Sequence, residues 1–250
     1  MSNLHAPLSL KADFAKGLVI FIHGFMGSPR QFDDLAETAY NNGFSTLQLL
    51  LPGHGSTLDE FCSFKFQQLQ NHVYAEIESH ACTYSDIWLV GHSMGGLLAL
   101  CAAEKFGEGI RGVFSIACPF TLTLFSAKAL KLRLTLIFAK RSNPIKSAYL
   151  DDSSVPTSSH LIWHVASPFF ELKKLMHHTK ALLPKIKVPV FAIYSAEDET
   201  VSIKSLSTLK SGLGSTSFSS FVLSNSLHAY YTKHEREEIK KSLLEFIEPI

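Results

Sequence analysis

The fold of this chain can be predicted from one stretch, Asp86-Ile-Trp-Leu-Val-Gly-His-Ser-Met-Gly-Gly-Leu-Leu-Ala-Leu100. An apolar run over residues 87–90 stops at Gly91, and a helix-compatible run begins directly after the Gly-His-Ser-Met-Gly sequence. This order predicts a β-strand, a sharp turn that carries Ser93, and a helix. A serine on such a turn has a strained backbone, so its neighbours must be small, and Gly91 and Gly95 meet that need. The Ser93 hydroxyl then lies at a helix N-terminus, where developing negative charge is stabilised, which makes Ser93 a candidate nucleophile.

The composition is typical of a globular protein with a large core. The chain has 250 residues, of which 46% are hydrophobic and 18% charged, so we expect one large domain or a domain with an insertion. The formal net charge of +1 argues against nucleic-acid binding. The four cysteines contain no C-x-x-C pair, which argues against a metal site or a redox centre. With no apolar leader and no uncharged stretch of spanning length, we expect a soluble, cytoplasmic protein.

Apolar runs rich in β-branched residues alternate with helix-compatible segments along most of the chain. The run at residues 18–22 is typical of a parallel strand buried on both faces. Strands are predicted at 18–22, 44–51, 86–90, 110–118, 188–194 and 218–223, and helices at about 29–40, 61–82, 97–103, 202–210 and 233–246. This alternation predicts an α/β fold with a mostly parallel central sheet flanked by helices on both faces.

Residues 119–183 break the alternation and are the candidate insertion. We assign 1–118 and 184–250 to the core and 119–183 to an inserted cap subdomain. Residues 130–136 alternate as a strand would, whereas the wider segment 121–141 fits one or two apolar helices, and the pattern does not decide between them. The segment also contains apolar residues that need packing partners: Trp163, Phe169, Phe170 and Leu172. We favour a helical subdomain that also serves as a lid lined with acyl-binding surface.

A serine nucleophile needs a base within hydrogen-bond reach, and that base needs an acid to orient it. When the serine lies on a strand-to-helix turn, acid and base follow later in the chain, each on a loop at the C-terminal end of a strand. His228 follows the strand predicted at 218–223 and is the candidate base. His234 begins a charged helix, where we expect solvent exposure.

The candidate acid lies in the sequence Ser195-Ala-Glu-Asp-Glu-Thr-Val201, after the strand predicted at 188–194. Glu197, Asp198 and Glu199 could each orient the base. We prefer Asp198 because its shorter side chain suits a tight loop, and we expect its neighbours to be surface charges.

Acyl transfer also requires two N–H donors for the oxyanion. We expect the backbone N–H of Met94, directly after the nucleophile, and that of Phe25, in the loop after the first strand. His23 and His54, which lie in glycine-containing turns, are expected to hold loops through hydrogen bonds. His160 and His164 have the spacing of a metal pair, but no third ligand is evident, so no metal or cofactor is predicted.

Three motifs together resemble the α/β-hydrolase family: His23-Gly-Phe-Met-Gly27, Leu51-Pro-Gly-His-Gly55 and Gly91-His-Ser-Met-Gly-Gly96. Within this family the chain is similar to small bacterial carboxylesterases and monoacylglycerol lipases. The family's Asp-x-x-Val acid loop matches residues 198–201, and its Ser-x-His base loop matches residues 226–228. The resemblance implies an α/β-hydrolase fold in which the insertion caps the nucleophile. The short N-terminal part implies that the antiparallel strands which usually begin the fold are reduced.

The resemblance implies hydrolysis of carboxylic esters with short to medium acyl chains, with monoacylglycerols among the candidates, and a small-molecule ester as the partner. Thioester, small-peptide amide and carbon–carbon bond hydrolysis use the same triad and stay open. A hydrolase-fold binding protein without turnover is the alternative from another class. The basic, leucine-rich segment 122–141 raises a third hypothesis, docking on a membrane surface, although a self-packed cap is favoured.

Overall fold

The computed structural model describes residues 5–123, 126–151, 153–155, 166–215 and 217–248. A seven-stranded sheet with the order β1-β3-β2-β4-β5-β6-β7 forms the centre of the molecule. Strand β1 pairs with β3 in the antiparallel direction, and all other neighbours are parallel. The strands are β1 (Leu8–Leu10), β2 (Leu18–Ile22), β3 (Ser45–Leu49), β4 (Ile87–His92), β5 (Gly112–Ile116), β6 (Val190–Ser195) and β7 (Phe218–Leu223).

Helices connect these strands and cover the sheet. They are α1 (Asp33–Asn41), α2 (Leu58–Ser63), α3 (Phe66–Ala81), α4 (Met94–Phe106), α5 (Ala127–Phe138), α6 (Pro144–Asp151), α7 (Ala166–Leu182), α8 (Lys204–Gly212) and α9 (Lys233–Ile247). Alternate residues of β2 contribute to two separate cores. Leu18, Ile20 and Ile22 pack with α3 and α4, whereas Val19 and Phe21 pack with α1 and α9. Within the described residues, no helix combines the length and apolarity needed to cross a bilayer.

The sequence pattern predicted this architecture well. All five residues of β2 are buried, which confirms the prediction of a central strand covered on both faces. The predicted helix over 61–82 is instead two helices, because Phe64 and Lys65 have extended backbones between α2 and α3. Strand β1 was not predicted. It is only three residues long and all three are exposed, so it has no buried apolar face to signal it, and it agrees with the reduced antiparallel start.

The connection between β5 and β6 carries α5, α6 and α7 in its described parts. The strand alternative for residues 130–136 is wrong, since this stretch lies within α5, whose N-terminus is capped by the Ser126 hydroxyl accepting the Ala129 N–H at 3.1 Å. Helix α7 packs against α4, with Leu172 and Leu175 in the core. By contrast, α5 leaves four apolar side chains exposed, namely Leu130, Leu134, Ile137 and Phe138. Trp163, His160 and His164 lie outside the described residues.

Candidate active site

Ser93 occupies the turn between β4 and α4, with φ 52° and ψ −117°. Residues other than glycine rarely adopt this backbone conformation. Two neighbouring glycines permit the turn. A Cβ atom on Gly95 would lie 1.9 Å from the Ile22 carbonyl oxygen, and one on Gly91 would lie 2.4 Å from the Gly95 carbonyl oxygen. The Ser93 N–H donates to the Ile116 carbonyl at 2.8 Å. Close backbone packing therefore requires the small residues around Ser93.

The ring of His228 lies between Ser93 and Asp198. Its Nε2 atom is 3.1 Å from Ser93 Oγ, and its Nδ1 atom is 2.9 Å from Asp198 Oδ2. Burial lowers the pKa of His228, but the charge and hydrogen bond of Asp198, together with the charge of Glu199, raise it above its ordinary value of 6.5. With Nδ1–H directed at the carboxylate, the Nε2 lone pair faces the serine hydroxyl, as a general base requires.

Asp198 lies in the loop after β6 and is almost completely buried. Its second oxygen, Oδ1, accepts the backbone N–H groups of Thr200 at 2.8 Å and Val201 at 2.7 Å. Burial alone would raise the pKa of Asp198, but His228 and these two N–H donors lower it. Asp198 is therefore ionised near neutral pH and held in one orientation toward His228.

The alternatives weighed in the sequence occupy different places. Glu197 is exposed and pairs with Lys128 Nζ at 3.0 Å. Glu199 is 1% exposed, which corrects its expected place as a surface charge. Its Oε2 atom accepts the backbone N–H of His228 at 3.1 Å instead of the ring. His234 is exposed at 84% of its side chain, as expected from its helix.

Glu235 organises the loop that carries His228, a role that the sequence analysis missed. Although it belongs to α9, Glu235 is buried, and its Oε1 accepts the N–H groups of Ser224 at 2.6 Å and Asn225 at 3.0 Å. Its Oε2 accepts the Ser226 hydroxyl at 2.5 Å. Thr232 caps the same helix by accepting the Glu235 N–H. The Thr-x-x-Glu spacing is a helix-start signal that could have identified Glu235 as a capping residue.

The two expected oxyanion donors belong to the start of α4 and to the loop after β2. Met94 is the first residue of α4. The N–H groups of the first helical turn have no acceptor within the helix, and the Met94 N–H is one of them. Phe25 lines the cavity above Ser93. The preceding Gly24 packs so closely that a Cβ atom there would lie 3.2 Å from Ser93 Cβ, and its N–H donates to Gln31 Oε1 at 3.2 Å. Gln31 thus holds the loop that contains Phe25. That the N–H groups of Phe25 and Met94 bind an oxyanion stays a prediction.

His92 is a second histidine at the site, inside the pentapeptide itself, and the sequence analysis gave it no role. Its ring centroid lies 4.8 Å from that of His228, and its Nε2–H donates to the His228 carbonyl at 2.9 Å. Burial, reinforced by His228, lowers the pKa of His92 to about 3. His92 is therefore a neutral hydrogen-bond donor to the loop of His228.

His23 and His54 hold loops, as their turns suggested. The His23 Nδ1–H donates to the Gly24 carbonyl at 2.9 Å, and its Nε2 accepts the Leu51 N–H at 3.1 Å. His54 Nδ1–H donates to the Pro52 carbonyl at 3.2 Å. Burial lowers the pKa of both rings, to about 4 for His54. In the described part of the chain, no group of three His, Cys, Asp or Glu residues is arranged to hold a metal.

A cavity of about 360 Å³ opens above Ser93 and His228. Its walls come mainly from the loop after β2 and from the β5–β6 connection. The lining residues include Phe25, Met26, Gln31, Leu122, Leu136, Tyr149, Leu150, Phe169, Leu172 and Thr200. None of the described lining residues carries a carboxylate or a basic group other than the two histidines. The cavity therefore suits an uncharged, largely apolar ligand.

A mostly parallel sheet with a serine on the sharp turn between a strand and a helix is the architecture of α/β hydrolases. Comparison with known proteins places the chain more narrowly. It belongs to the family described as serine aminopeptidase, S33, whose model matches residues 13–236.

Two relatives are similar over nearly the whole chain, and a solved structure shares its fold. The chain is 28% identical over 237 residues to a thermostable monoacylglycerol lipase of Bacillus sp. (strain H-257), covering 91% of this chain and 89% of the lipase. It is 23% identical over 254 residues to the phospholipase YtpA of Bacillus subtilis (strain 168), covering 94% and 96%. Among solved structures, the monoacylglycerol lipase of Paleococcus ferrophilus superposes with a TM-score of 0.73 at 17% identity, covering 97% of both chains, which shows the shared fold.

Proposed function

We propose that this protein is a serine esterase that cleaves carboxylic esters of short to medium acyl chains, with monoacylglycerols among its candidate substrates. The observation that carries the proposal is the hydrogen-bonded line from Asp198 through His228 to Ser93, at the floor of an apolar cavity. The relatives named as a monoacylglycerol lipase and a phospholipase support ester chemistry.

In the proposed reaction, Ser93 Oγ attacks the ester carbonyl carbon while His228 Nε2 accepts the hydroxyl proton. Asp198 orients the ring and stabilises its positive charge. The N–H groups of Phe25 and Met94 bind the oxyanion of the tetrahedral intermediate. The alcohol leaves with the proton from His228. A water molecule, deprotonated by the same ring, then attacks the acyl-enzyme and releases the acid.

The cavity supports the choice of substrate. A volume of about 360 Å³ lies at the low end of ligand pockets, which run from about 300 to 1,000 Å³. Such a volume favours one short or medium acyl chain over a diacyl lipid. An aminopeptidase needs an acidic group to bind the substrate's free amine, and the described lining residues supply none. Esters of uncharged alcohols are therefore favoured over peptides, with thioesters and small amides as the alternative.

We also propose that residues 119–183 form a cap over the site. Support comes from α5, α6 and α7, which contribute Leu136, Tyr149, Leu150, Phe169 and Leu172 to the cavity wall.

Hydrolysis of p-nitrophenyl esters from acetate to palmitate, measured side by side for the wild type and Ser93→Ala, tests the function. We expect serine-dependent turnover with an optimum at short to medium chains. Equal turnover by Ser93→Ala would overturn the proposal. If a folded wild type cleaves no ester, a thioester and an aminoacyl p-nitroanilide test the alternative chemistries, and stoichiometric ligand binding without alcohol release would favour a binding protein.

A further inference from the structure

The carboxylate of Glu199 contacts the backbone next to the candidate base rather than its ring. Its Oε2 accepts the His228 N–H at 3.1 Å, and its Oε1 accepts the hydroxyls of Tyr149 at 2.7 Å and Thr200 at 2.9 Å. Each of these three donors is an uncharged group. Burial of a carboxylate is costly and is tolerated when hydrogen bonds compensate. The buried carboxylate of Glu199 therefore accepts hydrogen bonds from the His228 loop, from α6 and from its neighbour Thr200.

Tyr149 connects two parts of the molecule that are distant in sequence. Its hydroxyl donates to Glu199 in the loop after β6 and also accepts the Ala229 N–H at 3.3 Å. Burial, followed by the charge of Glu199, raises the pKa of Tyr149, so the hydroxyl keeps its proton and remains a donor. Because Tyr149 belongs to α6, the β5–β6 connection directly contacts the backbone that carries the candidate base.

The rest of the loop has other restraints. Glu235 accepts the N–H groups of Ser224 and Asn225, and the Tyr230 carbonyl accepts the Leu227 N–H. The next two N–H groups, those of His228 and Ala229, are accepted by Glu199 and Tyr149. The N–H groups at the base are therefore accepted by the acid loop and by α6, whereas the His228 carbonyl accepts from His92 and Tyr231.

We infer that Glu199 and Tyr149 are positioning residues, and that Tyr149 makes the full alignment of His228 with Ser93 depend on α6 being seated over the site. The inference rests on the proposed function. It makes α6 part of the alignment of the base, in addition to a wall of the cavity. Displacement of α6 would remove the acceptor of the Ala229 N–H and one of the donors to Glu199, which would loosen the backbone of residues 228–229 even though Asp198 still accepts the ring Nδ1–H.

Tyr149→Phe tests the inference with little change in volume. Small misplacements of a reacting group lower rates by about ten- to a hundredfold, and we expect kcat to fall about tenfold with KM within twofold. The fall should be equal for p-nitrophenyl acetate and octanoate, because alignment does not depend on chain length. Tyr74→Phe, which removes the hydroxyl of another half-buried tyrosine on α3, is the matched control and should leave kcat unchanged.

Glu199 is tested by two substitutions. Glu199→Gln keeps an acceptor for the His228 N–H, whereas Glu199→Ala keeps none, so the alanine variant should lose at least threefold more kcat than the glutamine variant. Since both residues act through one loop, Tyr149→Phe combined with Glu199→Ala should cost less than the product of the two separate losses. Tyr149→Phe with wild-type kcat, or with only a raised KM for octanoate, would overturn the inference and identify Tyr149 as pocket lining alone.

Hydrogen–deuterium exchange keeps this test separate from the proposed function. The amides of residues 228–229 should exchange about tenfold faster in Tyr149→Phe than in the wild type, whichever substrate the protein hydrolyses. Unchanged exchange would refute the positioning role even in an active esterase. Faster exchange in a protein without serine-dependent turnover would support the restraint while the esterase proposal fails.

Discussion

The ring of His92 lies 4.8 Å from the ring of His228, and its Nε2–H donates to the His228 backbone carbonyl at 2.9 Å. The two histidines differ in charge behaviour because their partners differ. His228 faces two carboxylates, which raise its pKa, whereas burial lowers the pKa of His92 to about 3. A neutral His92 can thus support the loop of His228 without repelling the imidazolium that forms during acyl transfer.

Replacement of His92 by Phe should weaken that support. Phenylalanine keeps a ring in the same space but cannot donate to the His228 carbonyl, and loss of one buried hydrogen bond costs about 1–3 kcal/mol. We expect kcat/KM on p-nitrophenyl butyrate to fall about five- to a hundredfold. His234→Phe, at an exposed position, is the control and should behave as the wild type. Wild-type activity in His92→Phe would show that this bond does not support the base.

The pH dependence of kcat/KM should report the raised pKa of His228. Protonated His228 cannot accept the Ser93 proton, so activity must rise with pH through its pKa. Because Asp198 and Glu199 outweigh burial, we expect the half-maximal point above pH 6.5. Among the described residues, His92, Tyr149 and Tyr231 also make hydrogen bonds to the backbone of residues 228–229, and Glu235 holds the start of the same loop.

Removal of the Glu199 charge should lower the pH at which kcat/KM is half-maximal. Glu199→Gln is expected to shift the half-maximal point of the kcat/KM profile to lower pH, because the Glu199 charge favours the protonated ring. Rates measured from pH 5 to 9 give both profiles. A shift to higher pH, or a wild-type midpoint below 6.5, would contradict the electrostatic assignment.

Asp198→Asn should separate the role of the candidate acid from that of its neighbours. An amide can hold the ring in the wrong tautomer and cannot stabilise its positive charge, and in a serine protease triad this change lowers kcat by about 10⁴-fold. We expect a loss of about three to four orders of magnitude in kcat on p-nitrophenyl butyrate. Glu197→Gln, at an exposed ion pair, should stay within twofold of the wild type. A small effect of Asp198→Asn would contradict the assignment of Asp198 and make Glu199 the candidate acid.

Gly95→Ala should destabilise the protein through backbone crowding. The added methyl group would lie 1.9 Å from the Ile22 carbonyl oxygen, so β2 and the start of α4 must separate. We expect the free energy of unfolding in urea to fall by more than about 3 kcal/mol, beyond the usual range for one substitution. Gly109→Ala, whose methyl group would lie 3.9 Å from Phe106 Cβ, should change stability little. Equal stability of the two variants would contradict the packing described for the turn.

Although the sequence favoured a self-packed cap, α5 leaves an apolar side exposed, and this side predicts binding to an anionic bilayer. Leu134 and Phe138 are 47% and 79% exposed, and the sequence from Arg111 to Lys146 contains basic but no acidic residues. We expect the protein to sediment with phosphatidylserine vesicles at low salt and to be released at high salt.

The double variant Leu134→Ser/Phe138→Ser should remain in the supernatant, whereas Val222→Ser, at an exposed position on β7, should sediment as the wild type does. Absence of sedimentation of the wild type would eliminate this docking surface and leave α5 as an exposed face of the cap.

Much of the site can be predicted from the sequence because its core depends on local signals. The strand, the glycine-flanked Ser93 and the helix lie within one continuous stretch, and apolar periodicity alone predicts the neighbouring strands. The Ser–Asp–His order then limits the candidate acid and base to the loops after the last strands. In the structure, the His228 ring lies between Ser93 and Asp198 and is within hydrogen-bond distance of both.

The sequence by itself determined the α/β alternation, the turn of Ser93 and the candidates for acid and base, because each rests on a pattern that a few consecutive residues carry. The sequence preferred Asp198 as the acid, but only the tertiary structure showed that Glu199 is buried and accepts the His228 N–H, and only it gave roles to Tyr149, His92 and Glu235. The contacts of Tyr149 with Glu199 and Ala229 join residues 50 and 80 positions apart. Such contacts depend on where distant loops meet above the sheet, and no local periodicity records that meeting.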